Sequence, residues 1–378
     1  MEGNSAETTH ELAAARLPEQ ISIIVPTFNE RDNVPELIER LRVAMGRLAW
    51  EVVFVDDDSQ DGTLGALSAA ASDDPRVRFL HRLGRRGLSS AVVEGIQSTN
   101  APLIAVMDAD LQHDEKLLPL MVEQFMDASL DLVIGSRYAG GASVGDWNHD
   151  RARMSRFATK LSHLVVKADL TDPMSGFFMI RRDAFNAAAR NLSGQGYKIL
   201  LDIVASAPRK LKIVELPFTF GLREHGESKL DTLVLWEYVA LLVDKTIGKY
   251  VPPRFVMFSF VGGAGLFVHM AVVYALFRWR HFPFEFAQAV GAFAAMTFNF
   301  YVNNLLTYRD RRLKGFFGML KGLLSFYAVC FIGWIANVGI ANVLFVEHYS
   351  WVIAAIAGTL VGAVWNYAAT SIFTWKNK

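Results

Sequence analysis

Two carboxylates, Asp108 and Asp110, and the Gln112 amide follow an apolar run from Leu103 to Met107 that reads as a buried strand. Aspartates at such a strand end are costly in a core. They are hard oxygen ligands, suited to Mg²⁺ or Mn²⁺ when substrate phosphates fill the remaining positions. A lone D-x-D is common by chance, so its meaning depends on company. Three other polar clusters supply it: Pro26-Thr27-Phe28-Asn29-Glu30, Asp56-Asp57-Asp58-Ser59, and Gly135-Ser136-Arg137-Tyr138. Asp57 is placed to accept from a base or ribose, and Arg137 lies where a phosphate would. Arg223 and Lys229, in the polar stretch 222–229, suit a clamp that closes over a diphosphate.

These clusters sit at the ends of repeating units. Ile21 to Val25 reads as a strand and Asn33 to Met45 as an amphipathic helix. Glu51 to Val55 and Val77 to His81 repeat the strand, and helices follow from Thr63 and from Ser89. Asp58 or Ser59 is expected to cap the first of these helices. Further strands fall at 132–134, after the turn 172–178, and at 214–220. The alternation predicts a parallel, doubly wound α/β sheet, with ligands outside the carboxyl ends of its strands. Glu30, Asp56 to Asp58 and Asp108 to Asp110 then converge on one crevice. No G-x-G-x-x-G follows the first strand and no Walker sequence occurs, so a nucleotide must be held through metal and side chains.

The carboxyl third differs. Residues 251–378 hold ten Lys/Arg against three Asp/Glu, leaving 28 against 35 in residues 1–250, so the zero net charge hides two unlike halves. Apolar stretches at 255–277, 284–306, 322–346 and 351–373 each exceed the ~20 residues that span a bilayer. Arg309, Arg311, Arg312, Lys314 and Lys321 lie between the second and third, and Lys376 and Lys378 follow the fourth. The positive-inside rule puts both termini and the soluble domain in the cytoplasm. The basic surplus points to anionic headgroups, and no basic and aromatic cluster suggests a nucleic-acid groove. Cys330 is the only cysteine, which excludes an internal disulfide. Asn299, Asn303, Asn304, Asn337, Asn342 and Asn366 read mostly as interhelical hydrogen-bonding groups. Two amphipathic segments, about 151–168 and 230–250, read as interfacial helices, and residues 1–20 as a disordered tail.

Together, Pro26 to Glu30, Asp56 to Thr63, Gly87 to Ala91, Asp108 to His113, Gly135 to Tyr138, Asp172 to Phe178 and Arg223 to Leu230 resemble the dolichol-phosphate mannose synthases. These are polyprenyl-phosphate glycosyltransferases of family 2. The resemblance implies a GT-A, Rossmann-like catalytic domain over 21–229, and the spans over 251–378 resemble a GtrA-type membrane domain of four helices. It implies that Pro26, Phe28, Glu30, Val55, Asp57 and Ala109 line the nucleotide-sugar pocket with Asp108, and that Asp108, Asp110 and Gln112 hold Mn²⁺ or Mg²⁺. It further implies that Arg137, Arg151 and Ser155 receive the acceptor phosphate, with Arg223 and Lys229 on the donor. Phe28 stands where the family usually has Tyr, which keeps a stacking ring and removes a hydroxyl.

The expected reaction is inverting transfer of mannose from GDP-mannose to a polyprenyl monophosphate, with Asp110, Arg137, Arg151 and Arg223 at its centre. The acceptor is largely a dianion at neutral pH, so no strong general base is needed. The alternatives are a glucosyl or other transferase using a UDP-sugar, and a membrane module acting as lipid translocator or scaffold.

Overall fold

A computed structural model describes residues 21–140, 170–193, 198–219, 221, 232–248 and 250–376. The chain forms two compact units, Met1–Thr246 and Ile247–Lys378.

In the first unit the described strands are β1 (Ile21–Thr27), β2 (Trp50–Asp56), β3 (Val77–His81), β4 (Leu103–Val106), β5 (Leu132–Ser136), β6 (Phe178–Arg181) and β7 (Ile213–Pro217). They form one sheet in the order β3-β2-β1-β4-β6-β5-β7. β1, β2, β3 and β4 pair in parallel, as do β5 and β7. β6 is antiparallel to both neighbours, so the sheet is mixed and not the all-parallel one expected. The turn 172–177 lies beside Asp108 and Gly135 at the carboxyl edge, and a strand leaving that edge has only the downward direction open.

Side chains alternate between two cores, as a sheet covered on both faces requires. Ile21, Ile23, Val25, Val52 and Phe54 enter one core, and Ile24, Val53, Val55, Ile104 and Val106 the other. The first core is closed by α1 (Asn33–Met45), through Val34, Leu37, Ile38, Leu41 and Met45 at helical spacing, and by α4 (Leu117–Gln124). α2 (Thr63–Asp73) packs on the same side through Leu67. The second is closed by α3 (Leu88–Gln97), α5 (Arg182–Ala189) and α6 (Ile199–Ser206). A Cβ on Gly95 would lie 2.5 Å from the Ile24 side chain, so only glycine lets α3 come this close.

The segment expected as a second interfacial helix is α7 (Thr232–Ile247), and its Tyr238, Leu241 and Leu242 belong to the second core. Its Lys245 turns inward: Nζ pairs with the buried Asp202 at 2.7 Å and donates to the Asn191 carbonyl at 2.8 Å. That lysine therefore faces the protein and not a headgroup.

The second unit contains α8 (Pro253–Val273), α9 (Phe284–Val302), α10 (Phe316–Val346) and α11 (Trp351–Phe373). π-Helical segments, Tyr274–Trp279 and Asn303–Thr307, continue the first two. Pro253–Trp279 and Phe316–Leu344 are apolar and long enough to cross a membrane, with mean hydropathy 2.0 and 1.9. α10 starts six residues ahead of its apolar stretch, directly after Gly315, whose φ of 72° breaks the chain, so Lys321 lies inside the helix. Phe300, Phe326, Tyr308 and Trp375 form a small aromatic core, with Tyr308 stacked on Trp375 at 4.1 Å. Of the asparagines singled out in the apolar stretches, Asn304 accepts from Trp375 Nε1 at 3.0 Å and from the Leu313 amide at 2.9 Å. Asn303 donates within its own helix to the Asn299 carbonyl, short of the interhelical bond expected. His269 with Gln288, at 2.8 Å, and Thr297 with Tyr327, at 2.6 Å, link helices instead.

Candidate active site

Three groups of loops meet at the carboxyl edge of the sheet. The first joins the ends of β1, β2 and β3. The Asn29 amide donates to Ser59 Oγ at 2.8 Å, the Gln60 amide to Asn29 Oδ1 at 3.1 Å and the Glu30 amide to Thr63 Oγ1 at 3.0 Å. The loop carrying Phe28 and Glu30 is thus laced to the acidic loop after β2. Glu30 itself accepts from Asn33 Nδ2 at 2.6 Å, fixing the entry to α1.

Asp57 is nearly buried and already engaged: Arg82 Nη1 donates to Oδ1 at 2.5 Å and the Gly87 amide to Oδ2 at 2.6 Å. Loss of hydration pushes its carboxyl above the usual range despite both bonds. Neither Asp58 nor Ser59 caps α2. Asp58, at φ 61°, turns toward β3 and accepts from the Gly84 amide at 3.3 Å, and Ser59 is taken by Asp56. Asp61 accepts from the Thr63 amide at 3.0 Å and serves the helix start. The Val55 side chain is fully buried against Gly95, so only its backbone is at the edge, and Ala109 packs in the first core. Pro26 and Phe28 are half-buried. Arg86 lies over the Phe28 ring, 4.1 Å from its centroid.

The second group is the D-x-D turn after β4. Leu111 adopts φ 61°, and the Gln112 amide donates to Asp110 Oδ1 at 3.3 Å. The Asp108 amide donates to His113 Nδ1 at 3.1 Å, which directs His113 Nε2 toward Asp108 Oδ2, 3.8 Å away. His113 stacks on Phe177 at 5.0 Å and meets the edge of Phe218 at 5.8 Å. Two bonds, one from the backbone and one from the Gln112 side chain, tie this turn to Gly221 beyond β7: Gly221 N donates to the Gln112 carbonyl at 2.9 Å, and Gln112 Nε2 to the Gly221 carbonyl at 3.0 Å. The Asp108 carboxyl is raised above its usual range by burial.

A divalent cation fits this donor set. Asp108 and Asp110 set two carboxylates side by side, and a Cβ at Gly176 would come within 3.0 Å of Asp108 Oδ2, so the space is kept clear. Among the described residues no three His, Cys, Asp or Glu side chains form a metal cage. Two carboxylates leave the remaining positions to an amide oxygen, water and phosphate, as Mg²⁺ sites at phosphates usually do.

The third group holds the cations. Arg137, at the end of β5, is seated on Asp172, Nε to Oδ2 at 2.7 Å and Nη2 to Oδ1 at 2.8 Å. Glu215 of β7 accepts from the Thr171 amide at 2.9 Å, from its hydroxyl at 3.0 Å and from the Asp172 amide at 3.0 Å. Lys198, just before α6, interacts with Arg137, Asp108 and Asp172, and its ammonium is pushed down to about 8 by burial and then by the Arg137 cation. Arg151, Ser155, Arg223, Lys229 and the segment 151–168 lie outside the described residues.

The structure therefore brings together Phe28, Glu30, Asp57, Asp108, Asp110, Gln112 and Arg137 along one sheet edge. The sequence reading passed over Lys198, His113, Asp172 and Glu215 as site residues. His113 and Asp172 stood inside the motifs Asp108 to His113 and Asp172 to Phe178, and Lys198 showed as a lysine directly ahead of the apolar run Ile199 to Leu201; Glu215 carried no signal.

A family model described as glycosyl transferase family 2 matches residues 22–188, and one for the GtrA/DPMS transmembrane domain matches 257–375. A dolichol-phosphate mannosyltransferase of Pyrococcus furiosus is 33% identical over 94% of this chain and 99% of its own length. The chain belongs to glycosyltransferase family 2. Within that family it is a two-domain member of the dolichol-phosphate mannose synthase type, with a GT-A-like catalytic fold and a GtrA/DPMS membrane domain. A dolichol-phosphate mannosyltransferase of Mycosarcoma maydis is 37% identical over 69% of this chain and 87% of its own length. Glucosyl-3-phosphoglycerate synthase of Mycobacterium tuberculosis, solved with Mn²⁺, UDP-glucose and phosphoglyceric acid, superposes with a TM-score of 0.46 at 20% identity. That alignment covers 65% of this chain and 86% of the synthase.

Proposed function

We propose that this glycosyltransferase moves mannose from GDP-mannose to a polyprenyl monophosphate, dolichyl or undecaprenyl, at the cytoplasmic face of a membrane. The observation that carries this reading is the opposition of charge across one crevice: Asp108 and Asp110 on the β4 turn, Arg137 and Lys198 facing them. The full-length similarity to a dolichol-phosphate mannosyltransferase supports the sugar and the lipid class.

Asp108, Asp110 and Gln112 would hold Mn²⁺ or Mg²⁺, which supplies charge neutralisation for the departing nucleoside diphosphate. Phe28 would stack on the base, with Pro26, Glu30, Asp57 and the backbone at Val55 and Ala109 around it. The acceptor phosphate carries its own negative charge, so its oxygen attacks the anomeric carbon directly, opposite the diphosphate, and configuration inverts. Arg137 orients that phosphate with Arg151 and Ser155. Because the buried Asp172 already balances the Arg137 charge, the pair positions the nucleophile without gripping it as a free cation would. Lys198 adds positive charge where negative charge gathers, and Arg223 and Lys229 would close on the diphosphate.

Four spans would anchor the enzyme, with Arg309, Arg311, Arg312, Lys314 and Lys321 on the cytoplasmic side. Exposed Phe260, Phe267, Met270, Leu324, Phe331 and Leu360 on that unit support contact with acyl chains.

The deciding experiment offers purified protein a polyprenyl phosphate, Mn²⁺ and, in parallel, GDP-mannose or UDP-glucose, and follows sugar into the lipid phase. Transfer from GDP-mannose alone is expected. Transfer from UDP-glucose alone would keep the mechanism and overturn the named donor, and transfer from neither would overturn the activity.

A further inference from the structure

Arg86 covers the ring of Phe28, at the end of the crevice proposed above for the nucleotide. Its guanidinium lies 4.1 Å from the Phe28 centroid, whereas a base stacked between two planar groups needs roughly 7 Å from wall to wall. The backbone that carries Phe28 is fixed. Its loop is bonded at Asn29, Glu30 and Arg31 to Ser59, Thr63 and Asp61. The loop that carries Arg86 is held at its roots and at Arg85, whose guanidinium donates twice to Glu94 at 2.9 Å, while the Arg86 side chain itself reaches out over Phe28. Arg82 is buried on Asp57 and Ser90, the Gly84 amide is held by Asp58, and the Gly87 amide by Asp57. Gly84 at φ 64° and Gly87 at φ 146° bracket Arg85 and Arg86, and the Arg86 side chain is exposed.

We propose that Arg86 is a clamp for the nucleobase of the donor: it leaves the Phe28 face, admits the base onto that ring, and closes over the base's other side. This rests on the nucleotide-sugar reading of the crevice. An exposed cation–π contact is weak and exchanges readily for base stacking, so Arg86 acts as a placeholder that keeps an apolar ring covered until the donor arrives. Its rooted loop limits how far the guanidinium travels and returns it to the same plane. A two-sided stack rewards ring area, so the clamp favours a purine over a pyrimidine.

The test is calorimetric binding of GDP, UDP and inorganic diphosphate to the full-length protein in detergent with Mn²⁺, for the unaltered chain, R86A and R86K, with matched thermal unfolding to show intact folding. R86A is expected to weaken GDP about tenfold and UDP less, and to leave inorganic diphosphate unchanged. R86K, which keeps the charge but not the plane, is expected to share most of the GDP loss. Native GDP affinity in R86A, an equal loss for inorganic diphosphate, or full rescue by R86K would each overturn the clamp alone. Failure of the unaltered protein to bind either nucleotide would overturn the donor reading and the clamp with it.

Discussion

Arg137 is held in its plane by Asp172, a carboxylate with no solvent exposure, and Asp172 is held in turn by Glu215 on the neighbouring strand. Orientation of the guanidinium is thus inherited from β7. E215Q keeps the size of the side chain but replaces a carboxylate that accepts several bonds. It is expected to lower kcat about tenfold, ~1.4 kcal/mol in the transition state, with donor KM unchanged. Steady-state kinetics with both substrates varied checks this; an unchanged kcat would remove Glu215 from the positioning chain. D172N breaks a buried pair and is expected to cost about 3 kcal/mol of stability in urea unfolding as well.

The depressed Lys198 ammonium gives a sign to the pH dependence. Lys198 is charged below about 8 and loses its proton as pH rises through that value, so kcat/KM should fall on the alkaline side with a midpoint near 8. K198A is expected to lower kcat/KM at pH 7 about tenfold or more and to abolish that limb, while K198R should retain activity to higher pH. A native alkaline limb in K198A would show that another group titrates there.

Gly176 keeps space in front of Asp108. In G176A the new methyl would meet Asp108 Oδ2 at 3.0 Å and displace it. Turnover is expected to fall at least tenfold, with the unfolding midpoint within a few degrees of the unaltered protein. Raising the Mn²⁺ concentration should recover part of the loss, which separates a cation-site effect from a general one.

Removal of divalent ions with a chelator should stop lipid glycosylation, and Mn²⁺ or Mg²⁺ should restore it. In D110A the restoration should fail, with activity at least 100-fold below the unaltered chain. Unchanged lipid glycosylation by D110A would overturn the D-x-D assignment.

Away from the crevice, Asp74 receives Arg76 at 2.8 Å, Arg42 at 3.0 Å and the Arg76 amide at 3.0 Å, and these bonds hold its carboxyl well below the usual range. A depressed carboxylate contributes stability that is complete above its unfolded pKa, near 3.9, and lost as pH falls below it. D74N is expected to destabilise the first unit by about 1–2 kcal/mol at pH 7, a figure discounted because Arg76 is 41% exposed. The difference should vanish in acid, read by hydrogen exchange in β2 and α2.

Local pattern was enough for much of this molecule. The run Ile21 to Val25 and the helix 33–45 could be placed because strand and helix periodicities are set by neighbours along the chain. The antiparallel sense of β6 could not, because a short, mostly apolar strand looks the same in either direction; it follows from where the turn 172–177 delivers the chain. The same division runs through the site. Asp108 and Asp110 stood out as charges beside a buried strand, whereas the influence of Glu215 passes through bonds to residues 43 and 44 positions away. Asp58 misled as a helix cap because β3 and the loop after it offered partners, His81 and the Gly84 amide, that no local rule contains.

The paired bonds between Gln112 and Gly221 fasten the chain beyond β7 to the D-x-D turn. Phe218 is fixed against His113 and Phe177, and three residues later the backbone is fastened again. Chain length over 218–221 is therefore as constrained as any side chain in the crevice: one residue added or deleted there would shear the D-x-D turn from its support, even with every amino acid of the site intact.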